Sequence, residues 1–151
     1  NAASGSGEVA PPPRYLTHAQ PKLPTVKVWL GSEELIAEIA RTEVQICTGM
    51  MYRTNMPENE AMIFVFPYPD QKSFYMRNCI VPLSAAYIQP DGTIAEIVDL
   101  QPGEEAPVVS KSHNLQFVLE VPQGWFLRHN VRTGMLIRTE QGSLQETFFR
   151  R

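Results

Sequence analysis

The chain has 151 residues, of which 43% are hydrophobic and 19% are charged, and its net charge is −3. This length suits one domain with a core, and the absence of a basic surplus argues against a dedicated nucleic-acid binder. Two cysteines are too few for a disulfide scaffold or a four-cysteine zinc site. No apolar run reaches the roughly 18 residues that a transmembrane helix needs.

The first part of the chain differs in composition from the rest. Small polar residues precede three prolines at 11–13, and Pro21 and Pro24 follow. We predict a flexible proline-rich arm over residues 1–24 and a single globular domain over residues 25–151. Because the chain begins at Asn1 rather than Met, it is either a processed exported protein or a chain trimmed for expression.

The globular part begins with a hairpin and a short helix. Alternating apolar residues predict a strand over 25–30 and a returning strand over 34–40. Thr42 and Gln45 have the spacing of a capping box, which predicts that a helix begins there and ends near Gly49.

Short apolar runs bounded by proline and glycine predict further strands, with turns such as 67–70 between them. These strands lie at residues 61–66, 72–76, 83–88, 93–100, 115–121 and 135–139, and 101–114 is a long loop. Pro122 suits the first turn of a second helix that runs to His129, and Asn130 suits the left-handed position after it. The sequence therefore predicts a mainly β (α+β) fold, a compact barrel or sandwich of about seven or eight short strands with two short helices.

Five strings in chain order resemble a known family. They are TGMMYR at 48–53, AMIFVF at 61–66, FYMRNCIVPL at 74–83, PDGTI at 90–94 and VLEVPQGWF at 118–126. Together they resemble the bacterial and archaeal family called domain of unknown function 192, over roughly Val26 to Arg138. The resemblance implies a compact β-rich domain, often behind an export signal or lipoprotein anchor, with no established activity. We therefore expect export to the periplasm or cell envelope, with an upstream signal or anchor removed.

The chain departs from the family pattern at four positions. Where the family usually has Trp, Lys and Thr, this chain has Tyr75, Arg77 and Cys79, and Ser84 stands where the family usually has Asp. An Asp at that position would be a natural acid–base group, so its absence argues against such chemistry there.

Arg77 and Asn78 end a predicted strand just before a proline-bounded turn. A guanidinium binds carboxylate or phosphate through two bonds, and an amide both donates and accepts, so the two residues suit an anion or a sugar. In the alternative interpretation Arg77 pairs with Glu120, and Asn78 bonds to the backbone of its own turn.

Glu120 follows a run of apolar residues, so it is exposed, paired or buried alone. A buried lone carboxylate would have a raised pKa and suit general acid or base chemistry, whereas a nearby Arg53 or Arg77 would keep it ionised. Arg53 itself either caps the first helix or lines the same pocket. Trp125 suits stacking on a sugar or packing in the core.

The remaining candidates are weaker. His18, His113 and His129 lack metal-site spacing, and no phosphate-binding loop is present, so we expect no metal and no cofactor. Cys47 and Cys79 form a disulfide, supply a nucleophile assisted by His113, or are buried thiols, and we favour the last.

These residues lead to a non-enzymatic exported monomer that binds a small polar, anionic or carbohydrate ligand, or an envelope partner, and not nucleic acid. The alternatives are a hydrolase of envelope carbohydrate or peptide with Glu120 as general base, and a purely structural interaction protein. The binding hypothesis predicts a pocket that joins the strands at 72–78 and 115–121. Its predicted site residues are Arg77, Asn78, Glu120 and Trp125, with Arg53 and Tyr75 in support.

Overall fold

The computed structural model describes residues 14–150. Among these residues there are nine strands: β1 (Thr25–Leu30), β2 (Glu33–Ala40), β3 (Glu60–Asp70), β4 (Ser73–Phe74), β5 (Leu83–Ile88), β6 (Ile94–Leu100), β7 (Val108–Val109), β8 (Leu115–Pro122) and β9 (Ile137–Thr139). Three short helices accompany them: α1 (Glu43–Thr48), α2 (Trp125–Arg128) and α3 (Leu144–Phe148). No helix in this part of the chain is long and apolar enough to cross a membrane.

Seven strands form one sheet in the order β6-β5-β8-β3-β2-β1-β9, and β4 pairs with β7 in a second, small sheet. The large sheet curls into a half-barrel, which confirms the predicted mainly β fold. Its neighbouring strands are antiparallel, except that β2 and β3 are parallel. A parallel pair needs a connection that crosses over the sheet. Here α1 and residues 49–59, which we call the crossover loop, make that connection.

Both faces of the central strands are buried. Along β3, Ala61, Ile63 and Val65 face one apolar cluster, and Met62 and Phe64 face the other. The first cluster contains residues of α2 and α3, and the second contains residues of α1 and of the segment that follows β4. This arrangement explains why 61–66 is apolar throughout rather than alternating.

The capping box at the start of α1 is present, because the Thr42 side chain accepts a hydrogen bond from the Gln45 N–H and the Gln45 side chain bonds back. Gly49 ends the helix, and Asn130 has the left-handed backbone predicted for it. A second capping box, at Ser143, begins α3, a helix that the sequence analysis missed.

Several predicted bounds are corrected. Pro122 ends β8, and α2 begins after Gly124, because Pro122 still pairs with Leu83 across the sheet. The predicted turn at 67–70 belongs to β3, whose pairing with β8 shifts register before Asp70. Pro67 and Pro69 lie within this irregular part of β3. Proline has no N–H to donate to the neighbouring strand, so it is tolerated where regular β3–β8 pairing is interrupted.

The predicted arm falls partly outside the described residues, which begin at residue 14. Residues 14–24 lie against α1 without helix or strand of their own. The Leu16 N–H donates to Thr48 Oγ1 at 3.0 Å, and the Gln20 amide donates to the carbonyls of Gln45 and Gly49 at 3.1 and 2.9 Å. This packed portion of the arm, which we call the N-terminal segment, is therefore anchored to the domain.

Replacing the cap residue tests the capping box of α1. We expect Thr42→Ala to lower the free energy of unfolding by about 1 kcal/mol, because the Gln45 N–H loses its side-chain acceptor. Urea denaturation measures the change, and Thr133→Ala at an exposed loop position is the matched control. Equal stability of the two variants would contradict the cap's role.

Candidate functional site

A buried ion pair joins Glu38 and Arg53. Arg53 Nη1 donates to Glu38 Oε2 at 2.8 Å, and Arg53 Nη2 donates to Oε1 at 3.0 Å. The two side chains are only 5% and 14% exposed. This two-bond geometry is the strongest form of a carboxylate–guanidinium contact.

Three parts of the chain meet at this pair. β2 supplies Glu38, and the crossover loop supplies Arg53. From the N-terminal segment, the Leu23 N–H donates to Glu38 Oε1 at 2.9 Å, and the Pro21 carbonyl accepts from Arg53 Nη2 at 3.3 Å. The ion pair therefore connects elements that are not adjacent in sequence.

Glu38 stays ionised although it is buried. Burial acts to raise its pKa, but the hydrogen bonds from Arg53 and the Leu23 N–H, with the charges of Arg53 and Lys22, outweigh burial and hold the pKa below its ordinary value. The charge is satisfied by fixed donors rather than by water.

A cavity of about 350 Å³ lies beside the pair. Its lining combines two carboxylates, two cations, two amides and three apolar side chains: Glu38, Glu60, Lys22, Arg53, Gln20, Asn55, Met50, Met56 and Pro57. Lys22 Nζ lies 2.6 Å from Glu60 Oε1 and 3.8 Å from Glu38 Oε2. The cavity therefore carries two cations and two carboxylates, and no net charge, beside apolar surface.

One donor of the lining lacks an acceptor in the described part of the chain. Arg53 Nε is buried, and no hydrogen bond satisfies it there. Buried polar groups are almost always bonded to protein or to water. Because this nitrogen is also closed to solvent, the missing bond is a cost to the ion pair rather than a contact open to the cavity.

Of the six predicted site residues, Arg53 lines this cavity. Arg77 and Tyr75 lie together, with the guanidinium 5.3 Å from the centre of the Tyr75 ring. The carboxylate that pairs with Arg77 is that of Glu105, at 2.7 Å from Nε, whereas the sequence suggested Glu120. Arg77 also donates to the Tyr15 hydroxyl at 3.4 Å.

Asn78 lies at a turn, but its side chain contacts Met51 rather than the backbone of its own turn, which the alternative interpretation expected. Its backbone is left-handed, with φ of 60°, and its carbonyl accepts the Tyr52 N–H at 2.8 Å. The Asn78 amide contacts Met51 Sδ at 3.9 Å. Asn78 thus fixes the start of the crossover loop, from which Arg53 reaches Glu38.

Glu120 is fully buried on the second face of the sheet. Burial, and after it the charge of Glu120, raise the pKa of Cys79 to about 12 and also raise the pKa of Tyr87. Strand register places Glu38, Met62 and Glu120 in one row across β2, β3 and β8. Two strand spacings separate the backbones of the two glutamates by about 10 Å.

Trp125 packs inside the domain rather than at a surface. Its side chain is buried, and its indole N–H donates to the Glu58 carbonyl at 2.9 Å. The ring stacks on His129, with centroids 4.2 Å apart. Trp125 therefore supports the crossover loop from the side opposite the ion pair.

The cavity beside Glu38 and Arg53 does not lie between 72–78 and 115–121, where a pocket was predicted, because none of those residues lines it. Only Ser73 and Phe74 of the first segment form a strand, and they pair with β7 instead of β8. Cys47 and Cys79 are free thiols, so the disulfide that we considered is not formed.

The sequence analysis missed most of the cavity lining, above all Gln20, Lys22, Glu38, Asn55 and Glu60. One signal was available: Glu38 stands alone among apolar residues in a predicted strand, as Glu120 does. A charge in such a run is either at an edge or buried with a partner.

These features define a small β half-barrel domain with a polar cavity beside a buried ion pair. The profile of the domain of unknown function 192 family, described as Uncharacterized ACR, matches residues 26–139. The chain belongs to this family, which confirms the resemblance found in the sequence. No curated protein matches the chain.

Two solved structures are similar to this chain. A Sinorhizobium meliloti protein, described as a candidate transcription regulator, is 28% identical with a TM-score of 0.76, over 80% of this chain and 98% of its own. A Novosphingobium aromaticivorans protein of unknown function is 30% identical with a TM-score of 0.71, over 77% of this chain and 86% of its own. They share the fold, and neither description names a ligand.

Removing the charge of Glu38 tests the ion pair. We expect Glu38→Gln to lower the free energy of unfolding by about 3 kcal/mol, because it leaves the Arg53 charge buried without a counter-charge. The control is Glu43→Gln, since Glu43 pairs with Arg14 at an exposed position and should contribute less than about 1 kcal/mol. Similar losses in urea denaturation would contradict the assignment.

The same pair predicts a dependence on pH. Because the folded-state pKa of Glu38 is below the ordinary 4.5, its contribution to stability is complete above that pH and is lost as the pH falls through the folded-state value. The stability difference between the parent and Glu38→Gln should therefore shrink under acid. The measurement runs from pH 7 down to about pH 2, which is the pKa of a well-paired carboxylate in a folded protein. A stability difference that stays constant over this range would contradict the predicted pH dependence.

Proposed function

We propose that this domain is a small-molecule binding module, and that the cavity beside the Glu38–Arg53 pair takes a neutral, polyhydroxylated ligand of the carbohydrate class. The observation that carries the proposal is the lining, which is rich in donors and acceptors but has no net charge. The cavity volume of about 350 Å³ lies at the small end of ligand sites, which suits a monosaccharide rather than a chain.

The pairing of the charges favours a neutral ligand over an anion. Arg53 already makes two bonds to Glu38, and Lys22 bonds to Glu60. The carboxylates of these pairs would repel an anionic ligand, and the cations would repel a cationic one. Hydroxyl groups both donate and accept, so they bond to either partner without separating the pairs.

The remaining lining matches the other features of a sugar. The Gln20 and Asn55 side chains offer amide oxygens. Met50 and Met56 offer adaptable apolar surface for the C–H faces of a ring.

Two alternatives receive less support. Glu120, the general base of the hydrolase hypothesis, is fully buried and does not line this cavity. The Sinorhizobium meliloti protein is described as a candidate transcription regulator, but a nucleic-acid-binding surface is normally basic, whereas this chain has a net charge of −3. Export, a monomeric state and an envelope partner stay predictions from the sequence.

The proposal is tested by NMR titration of the nitrogen-15-labelled protein with four separate probes. The probes are glucose and N-acetylglucosamine as neutral sugars, phosphate as an anion and glycine as a zwitterion. We expect saturable amide shifts at Arg53 and Asn55 with a sugar, and none with phosphate.

The variant Asn55→Ala should weaken that sugar about tenfold, the effect of one lost hydrogen bond. Asn114→Ala, at another exposed asparagine, should leave the affinity unchanged. Binding of phosphate alone, or of no probe at these residues, would overturn the proposed ligand class.

A further inference from the structure

A second charged cluster lies at the end of the crossover loop. Asn55, Met56 and Pro57 line the cavity, and the next residue, Glu58, bonds to α2. Arg128 Nε and Nη2 donate to the two carboxylate oxygens of Glu58 at 3.0 and 2.9 Å. The cavity wall formed by Asn55, Met56 and Pro57 is therefore connected to α2 through the Glu58–Arg128 ion pair.

His129 bridges two carboxylates in this cluster. Its Nδ1 lies 2.9 Å from Glu33 Oε1, and its Nε2 lies 2.8 Å from Glu58 Oε2. A neutral imidazole has one N–H and one lone pair, so it would face one carboxylate with a lone pair. Only the imidazolium donates to both carboxylates in this geometry.

The surroundings of His129 also favour its charged form. The hydrogen bond to Glu58, opposed by desolvation and aided by the bond and charge of Glu33, raises the pKa of His129 above its ordinary value of 6.5. The charged groups that face it are Glu33 from β2, Glu58 from the crossover loop and, through Glu58, Arg128 of its own helix. Trp125 stacks on the ring and donates to the Glu58 carbonyl.

We propose that His129 is a proton-controlled latch on the crossover loop: the imidazolium joins Glu58 of the loop to Glu33 of β2 and keeps the cavity wall in place, whereas the neutral ring donates to only one of the two, so loss of the proton loosens that wall. The latch is complete below the ordinary histidine pKa and weakens as the pH rises through the higher folded-state value. Arg128 and Trp125 still hold Glu58 after deprotonation, so the loop loosens without detaching. The effect on ligand affinity rests on the proposed function, whereas the latch itself does not.

Two protons report on the loop without any ligand. The Trp125 indole N–H donates to the Glu58 carbonyl, and the Ile36 N–H donates to the Asn59 carbonyl at 2.9 Å. Hydrogen exchange of both is measured by NMR at pH 6 and pH 9, after correction for intrinsic exchange. The Ser110 N–H, bonded to the Lys72 carbonyl at 2.8 Å beside the small sheet of β4 and β7, is the reference.

In the parent protein, we expect the protection of the two reporters to fall at least threefold from pH 6 to pH 9 relative to the reference. The variant Glu33→Gln should abolish this fall, because a glutamine amide donates to Nδ1 while a neutral His129 donates from Nε2 to Glu58. Glu34→Gln, the same change at the adjacent exposed residue, should behave as the parent does.

A parent without the fall, or a Glu33→Gln variant with the same fall, would overturn the latch. A sugar that binds equally well at pH 6 and pH 9 would overturn its control of the site. Failure of glucose and N-acetylglucosamine to bind at pH 6 would instead overturn the proposed function, while the exchange measurement would still decide the latch.

Discussion

Glu38 places a carboxylate at a position of β2 that is 4% exposed, where an ionised group without donors would be strongly destabilising. Its donors come from two other parts of the chain, Arg53 on the crossover loop and the Leu23 N–H before β1. The parallel pairing of β2 with β3 forces the intervening chain across the sheet, and this crossing brings Arg53 within reach. The ion pair, the crossover and the packed N-terminal segment therefore depend on one another.

Elements with strong local signals could be predicted from the sequence. The strands at 25–30 and 83–88 have the predicted bounds, and the box at Thr42 begins its helix, because alternation and capping are properties of neighbouring residues. The parallel pairing and the two-residue strand β7 could not be predicted, because they depend on contacts between distant segments. α3 had a capping box at Ser143 of the kind recognised at Thr42, so its omission was a failure to use an available signal.

The candidate site was less predictable than the fold, since its charges find partners far along the chain. Arg53 was a predicted site residue, but it pairs with Glu38 rather than Glu120 because of where the crossover loop lies. Arg77 pairs with Glu105, whose position depends on the path of the chain between β6 and β7. Trp125 was predicted as a site residue with core packing as the alternative, and the structure buries its side chain and bonds it to Glu58, which is 67 residues upstream.

Burial separates the two charged clusters that hold the crossover loop. The Glu38–Arg53 pair is shielded from water, so salt screens it little and it stays ionised at neutral pH. In the other cluster Glu58 and Arg128 are half-exposed and His129 is partly exposed, so each bond is weak, and the hydrogen bond to Glu58 raises the pKa of His129 above its ordinary value. The side of the cavity at the Glu38–Arg53 pair is thereby fixed. The wall at residues 55–57 is held by the Glu58–Arg128–His129 cluster, whose contacts respond to salt and pH. In the proposed binding module, the side beside Glu38 would keep its shape while the wall formed by residues 55–57 would adjust to a ligand.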